Sequence, residues 1–570
     1  MCGIFFSLNR GSPLKPTDQA LDALKSRGPD SLQSQELIVP ISGSQSFHLT
    51  FASSVLALRG GNVQEQPLVD PASGSVLCWN GEAWKIDGQT VKGNDSTQVL
   101  QLLVNASDSQ SPQNQGTKAI AAALTKIDGP FAFVFWEART STIYYGRDRL
   151  GRRSLLLHQS TSTPDQLIIS STAFSPITLS SSEVSTTSIH CLSLSSGRIV
   201  QATSEWQAPL PQLNKDTHPV EPLAALPIQN SVEQTELHLK QAIRLRVNDI
   251  PDHSHAHLDS TSAKVAVLFS GGLDCTLLAR LAHNVLPPGE PIDLLNVAFE
   301  NPRSLAARKD HLSSPYESCP DRLTGRSTFQ ELREICPGRL WRFVAINIPY
   351  AESLAHQPTI IDLMYPHNTE MDLSIAMALY FAARGQGEAV ATSGSSDSQE
   401  IPYASTARVL LSGLGADELF AGYARHAAAF TRGGFEALAD ELELDFVRIG
   451  SRNLGRDDRV MSHWGKEVRY PFLDEDFVRH SLGLPVWEKS GFRTGKPIPK
   501  HYDESRRASV AADLEPAKLL LRLVMWDQGM KLTASERKRA IQFGAKTAKM
   551  KIGMGRAKGT DLLDPLGPMQ

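Results

Sequence analysis

Between Gly3 and about Leu157, apolar positions come in short runs rich in β-branched and aromatic residues, separated by turn-forming Gly, Pro, Asn and Asp. LTFASSVLAL (49–58), SVLCWNGEAW (75–84), FAFVFWEA (131–138) and TIYYGRD (142–148) read as strands and predict a sheet-rich domain. The stretches 107–117 and 180–188 are rich in Ser, Gln and Asn, and read as solvated loop insertions that carry no chemistry. Repeated proline at 206–227 denies the backbone its ladder hydrogen bonds, and the main domain boundary is expected there. Beyond it, VEQTELHLKQAIRLRV (232–247) spaces its apolar residues by three and four, as a helix does. KVAVLFSGGLDCTLLARLAHNV (264–285) then joins an apolar strand, a Gly turn and an apolar helix, which opens an α/β unit with a parallel sheet.

Composition narrows the function classes. A chain of 570 residues with 41% hydrophobic content exceeds one core and fits two to four domains. The formal charge of −4 and the lack of a dense Lys/Arg block argue against nucleic acid or a membrane surface as partner, leaving small molecules. Six scattered cysteines without a C-x-x-C pair suggest neither a disulfide framework nor zinc, and point to a reducing compartment. With no span of transmembrane length and no signal-peptide pattern, a cytoplasmic location is the default expectation.

The chain opens MCGIFF. Once the initiator methionine is clipped, the Cys2 thiol shares a carbon skeleton with a free α-amino group, whose pKa of about 7.7 to 8.0 lets it take the thiol proton. Asn80 and Gly81 follow a strand, where a side-chain amide and a backbone N–H can point at one oxyanion; Asn-Gly is equally a hairpin turn. Arg59 offers a fork for a carboxylate and Asp95 an acceptor for an ammonium group, although isolated charges of this kind are ordinarily solvated surface.

Taken together, MCGIFF, SRGPD (26–30), the Arg59 segment, WNGE, GNDS and GRDRLGRRSL (146–155) resemble, in order and spacing, the class II glutamine amidotransferases. The resemblance implies a four-layer αββα N-terminal-nucleophile (Ntn) hydrolase domain in which Cys2 attacks the glutamine amide and releases ammonia. It makes Asn80 and Gly81 the oxyanion hole, Arg59 the holder of the α-carboxylate, and Glu82 and Asp95, beside Gly81, the groups for the α-amino group.

In the second half, VLFSGGLDC (267–275) sets two glycines before a helix, a geometry that brings backbone N–H groups to an anion. It is not a Walker A loop. VLLSGLGADELFAGYARH (409–426) repeats the strand-turn pattern and ends in Asp417 and Glu418; with Asp274, Asp417 makes a plausible hard-cation pair. The two segments, with GRDDRVMSHWGKEVRYPFLD (455–474), resemble the asparagine synthetases and their doubly wound ATP-pyrophosphatase domain. That resemblance implies ATP at Ser270, Gly271, Gly272 and Asp274, an adenine and ribose pocket of Leu268, Val297, Ser412 and Gly413, and Mg²⁺ at Asp274 and Asp417.

Three positions depart from that pattern. Leu414 stands where the family has a catalytic glutamate, Cys275 replaces a serine of the phosphate loop, and the family's lysine falls at or beside Ala540, with Lys538 and Arg539 adjacent but out of phase. These departures, with 450–459 and 538–550, make the chain resemble the asparagine synthetase domain-containing protein 1 family. The overall expectation is mixed α/β and α+β: an amidotransferase domain (2–205), a Pro-rich linker (206–228), a synthetase domain (229–552) and a tail (553–570). The expected activity is ATP-dependent transfer of ammonia from glutamine to an adenylated carboxylate, with aspartate as the leading acceptor. Two alternatives stay open: a regulatory or scaffolding protein with impaired synthesis, and an adenylating enzyme with an internal nucleophile, which Cys2 disfavours. A homo-oligomer or protein partner is left open.

Overall fold

The computed structural model describes residues 2–41, 45–108, 113–159, 165–173, 180–217, 225–251, 262–306, 314–390, 400–492, 514–550 and 558–563. Two six-stranded antiparallel sheets build the N-terminal half. Gly3–Arg10 lies between Leu167–Ser170 and Ser46–Val55 in the first; Phe131–Glu137 lies between Val76–Gly81 and Thr142–Arg147 in the second. Alternation along each strand explains the stacking. Ile4, Phe6 and Leu8 share one core with Cys78, Val134 and Trp136 of the other sheet. Phe5 turns outward to Leu24 of helix Asp18–Arg27, while Trp79, Phe133 and Phe135 turn outward to Val99, Leu103 and Ile120 of helices Ser96–Asp108 and Gln113–Thr125. Both faces are covered, so these strands read as continuous apolar runs rather than alternating ones.

The two polar stretches are not loops throughout. Ser107 closes helix Ser96–Asp108 by donating to the Leu103 carbonyl, and Thr117 is a buried residue of the next helix, its hydroxyl 3.4 Å from the Cys191 sulfur. Ser180–Glu183 is an edge strand on Leu156–Gln159, where polar side chains suit a lightly covered edge. Its Glu183 accepts from Arg459 at 2.8 Å and from Arg147 at 3.2 Å, so this stretch does carry charge chemistry.

The C-terminal half holds a seven-stranded sheet. Its parallel part runs Trp341–Ile348, Ile292–Phe299, Val265–Leu268, Val409–Leu411, Glu467–Arg469; the antiparallel hairpin of Gln386–Val390 and Glu400–Ala404 extends one edge. Chain order reverses between Val265–Leu268 and Val409–Leu411, and the crevice beyond the C-terminal ends of such a pair is where open α/β sheets bind ligands. Of the Pro-rich segment, residues 206–217 pack on the body: Trp206 donates to the Thr186 carbonyl and Asn214 to the Gly483 carbonyl. Positions 218–224 lie outside the described residues. The tail likewise falls mostly outside them, and its part 558–563 docks on the body, where Leu563 N–H donates to the Asn368 carbonyl. Among the described residues, no helix is long and apolar enough to cross a membrane.

Arginine-rich motifs join the halves. Arg27 of SRGPD reaches Asp458 at 2.9 Å, Ser154 N–H donates to the same carboxylate, and Arg459 donates to the Ser154 hydroxyl. Arg153 lies 3.3 Å from Glu467, and Arg152 pairs with Glu475 and donates to the Leu473 carbonyl. All of these arginines are buried, where losing one partner of a pair costs about 3 to 5 kcal/mol. SRGPD, GRDRLGRRSL and GRDDR therefore form one interdomain seam.

Candidate functional site

Cys2 sits at the start of strand Gly3–Arg10, buried at the end of the sheet sandwich. Its backbone N–H donates to Asn80 Oδ1 at 3.0 Å. The Asn80 Nδ2 group is fully buried and has no hydrogen-bond partner, although buried amide donors are nearly always paired. Gly81 pairs with Phe131, and a Cβ there would lie 2.6 Å from the Pro130 carbonyl oxygen and the Phe131 Cβ, so only glycine keeps this register. Gln66, which nothing in the sequence marked, spans the site: its Oε1 accepts from Trp79 N–H at 2.7 Å and its Nε2 lies 3.7 Å from the Cys2 sulfur. Burial pushes the Cys2 thiol up, with the carboxylates Asp95 and Glu467 adding to the rise. The thiol therefore needs a base to become nucleophilic.

The structure brings the remaining predicted residues to the same end. Arg59 donates to the carbonyls of Ala83 at 2.8 Å and Val91 at 2.5 Å, which fixes the fork and leaves three of its five N–H groups. Asp95 accepts from Ala83 N–H at 2.7 Å and Trp79 Nε1 at 3.2 Å. Glu82 lies 3.6 Å from Arg59 and accepts from Arg469 at 3.0 Å; its Oε2 is buried without a hydrogen-bond partner. Burial pushes Glu82 up to about 7 and also raises Asp95.

At the switch point of the parallel sheet lies a cavity of about 370 Å³. Leu268, Ser270, Gly272 and Asp274 line it from one strand end, Ser412, Gly413, Leu414 and Asp417 from the other, and Val297 from the neighbouring strand. Gly271 is not on the wall; it turns the loop through φ 78° against Gly325. Helix Leu273–Val285 begins at Gly272, on the cavity wall, with no side-chain cap, and an uncapped helix start suits an anion. The Cys275 thiol donates back to the Gly272 carbonyl at 3.3 Å rather than into the cavity.

Asp274 and Asp417 do converge, but on a lysine. Lys518 Nζ lies 2.5 Å from Asp274 and 2.6 Å from Asp417, and Lys538 also pairs with Asp417. Asp274 Oδ1 is left buried without a hydrogen-bond partner. Burial pushes Asp274 up; at Asp417 burial works the same way, yet the two ammonium groups outweigh it and hold that carboxyl well below its usual range. Two carboxylates facing two ammonium groups carry no surplus negative charge, and in this arrangement they do not fit a divalent ion. Among the described residues no cluster of three His, Cys, Asp or Glu side chains could hold a metal.

Around this cavity, Lys538 enters despite its sequence phase, Arg539 donates to Thr324 at 2.6 Å, and Ala540 caps the short helix Ile541–Gly544. Of the carboxylates that could stand in for Leu414, Glu418 is on the wall but accepts from the Tyr423 hydroxyl at 2.5 Å, and Asp372 is off the wall, paired with Arg456. A third, Asp321, is on the wall, and burial pushes it up to about 7. No motif pointed to Asp321 or Lys518, because both act through long-range convergence.

A model of the glutamine amidotransferase domain matches residues 1–199, and a model of asparagine synthase matches 387–440 and 433–505. Asparagine synthetase domain-containing protein 1 of Bos taurus is 34% identical over 96% of this chain and 95% of its own length; that of Homo sapiens is 32% identical over the same shares. The glutamine-hydrolysing asparagine synthetase 1 of Saccharomyces cerevisiae is more distant, at 22% over 86% of this chain and 77% of its length. All six cysteines are free and buried. An alignment that spans nearly the whole of both chains at 34% identity shows that the chain belongs to the asparagine synthetase domain-containing protein 1 family.

Proposed function

We propose that the chain hydrolyses glutamine at Cys2 and passes the ammonia to a carboxylate activated with ATP in the second cavity, with aspartate as the leading acceptor. The observation that carries this reading is Asn80: one side chain holds the Cys2 nitrogen through Oδ1 and leaves its Nδ2 buried without a hydrogen-bond partner. After removal of Met1 that nitrogen is an amine, and it accepts the thiol proton. The thiolate attacks the amide carbon, and the oxyanion accepts from Asn80 Nδ2, with the Gly81 N–H as the second expected donor. The amine returns its proton to the leaving nitrogen; water then splits the thioester to glutamate. A buried, preorganised donor is worth about 10²–10³ in rate at such a step.

We take residues 2–205 as an αββα Ntn-type domain and 229–552 as a doubly wound nucleotide domain, a division supported by the helix packing on both sheets and by the switch-point cavity. ATP phosphates suit the uncapped helix start after Gly272 and the cations of Lys518, Lys538 and Arg539. Positive charge that the motif resemblance assigns to Mg²⁺ is supplied here by lysine.

Purified protein with verified Met1 removal tests the reading. Glutamate release lost in Cys2→Ala, together with asparagine, AMP and pyrophosphate formation by the wild type, supports it; release by Cys2→Ala at the wild-type rate refutes the nucleophile. A second reading, glutaminase without synthesis, is favoured by the hydrocarbon at Leu414, and glutamate formation alone would select it.

A further inference from the structure

Trp84 is the meeting point of three guanidinium groups from both halves of the chain. Arg59 of the N-terminal half stacks 5.4 Å from its ring centroid; Arg246, at the end of helix Ala225–Val247, and Arg469, on strand Glu467–Arg469, stack at 5.5 Å and 4.9 Å. Arg469 has no freedom left. It donates to Glu467 at 2.6 Å, to the Arg246 carbonyl at 2.5 Å and to Glu82 Oε1 at 3.0 Å, with its face on Trp84 and its side chain buried. Each of the three guanidinium nitrogens is thereby engaged, a planar arrangement that a flexible ammonium could not reproduce.

The consequence falls on Glu82. Arg469 takes Oε1 and leaves Oε2, buried without a hydrogen bond and 3.6 Å from Arg59, as the oxygen that a ligand ammonium can reach. We propose that Arg469, supplied by the synthetase half, is a positioning residue of the glutaminase site: it fixes Glu82 through Oε1 and aims Oε2 at the ligand, so that glutamine's α-ammonium is recognised only when the two halves are docked. The inference rests on the glutamine reading of the Cys2 site and deepens it.

The charges facing Glu82 are Arg59 before it, Asp95 across the site, and Glu467 and Arg469 on the opposing strand, with Arg246 behind Trp84. Burial is the largest influence and raises Glu82; Glu467 and Asp95 add to the rise, and Arg469 and Arg59 oppose it. Without Arg469 the carboxyl moves further up and is neutral at the pH where glutamine carries its ammonium. An acid whose folded pKa is raised gives its stability at low pH and loses it as pH rises, so removing Arg469 extends that loss above pH 7.

The first measurement needs no glutamine. Thermal midpoints of the full chain are read from pH 6 to 9 for wild type, Arg469→Gln and Arg469→Gln/Glu82→Gln. The single variant should fall progressively below the double variant above pH 7. The same conclusion follows if the single variant folds only at low pH while the double variant folds throughout. Parallel curves for the two would overturn the proposal. The second measurement uses the Met1-processed enzyme at pH 7: Arg469→Gln should raise the glutamine KM at least tenfold with kcat within about threefold, and Arg469→Lys should recover part of the loss. A drop in kcat at unchanged KM would also overturn it. If the wild type hydrolyses no glutamine, the glutaminase reading fails, while the pH curves still decide whether Arg469 supports the charged form of Glu82.

Discussion

Lys518→Met removes an ammonium that touches both Asp274 and Asp417. Lys518 is built into place: its backbone is left-handed at φ 57°, and Gly422 leaves room for it, since a Cβ there would lie 2.2 Å from Lys518 Cε. After the substitution Asp417 keeps Lys538, whereas Asp274 keeps no cation at contact distance among the described residues. Breaking a buried pair costs about 3 to 5 kcal/mol; the carboxylates line an open cavity, which sets the expected loss near the lower end, about 3 kcal/mol. Burial already holds Asp274 above its ordinary range, and loss of the ammonium raises it further. The deficit is therefore largest at neutral pH and above, and shrinks toward pH 5 as Asp274 takes up a proton. Urea unfolding of Lys518→Met, Asp274→Asn and the double variant at pH 7.5 and pH 5 provides the assay. The double variant should recover about 2 kcal/mol of the single loss, because it discards the stranded charge. A single variant within about 1 kcal/mol of wild type, or a double variant no more stable than Lys518→Met, would show that Lys518 does not hold the pair together.

Gly81→Ala should lower glutamine hydrolysis about 10²-fold or more and cost about 1 to 3 kcal/mol, because its Cβ cannot fit 2.6 Å from the Phe131 Cβ without moving Asn80 and Glu82 on either side; normal kinetics from a folded variant would exclude Gly81 from the oxyanion region. At Leu414, amide formation in the wild type should lag glutamate release by about 10²–10⁴, the usual worth of a general base, and Leu414→Glu should narrow the gap, since Lys538 and Arg539 share the cavity with it; asparagine formed stoichiometrically with glutamate by the wild type would defeat this expectation.

Local rules were legible from the chain alone. Short apolar runs rich in β-branched and aromatic residues marked the strands from Gly3 to Arg147, and the SGG and SGLGAD turns marked the two strand ends that line the cavity, because strand burial and Gly-dependent turns depend on neighbours in sequence. Cys2, Arg59, Asn80, Glu82 and Asp95 were drawn together by motif order and spacing rather than by locality, and local polarity hid the helical residues Ser107 and Thr117 and the edge strand carrying Glu183, while 109–112 lie outside the described residues. Tertiary structure alone decided the electrostatics. It placed Lys518, far along the chain, between Asp274 and Asp417, set Arg469 on Glu82 across 387 positions, and turned the arginines of three motifs into one seam between the halves. Charge acts through space and is amplified by burial, so its partners are fixed only when the packed halves exclude water between residues that the sequence holds apart.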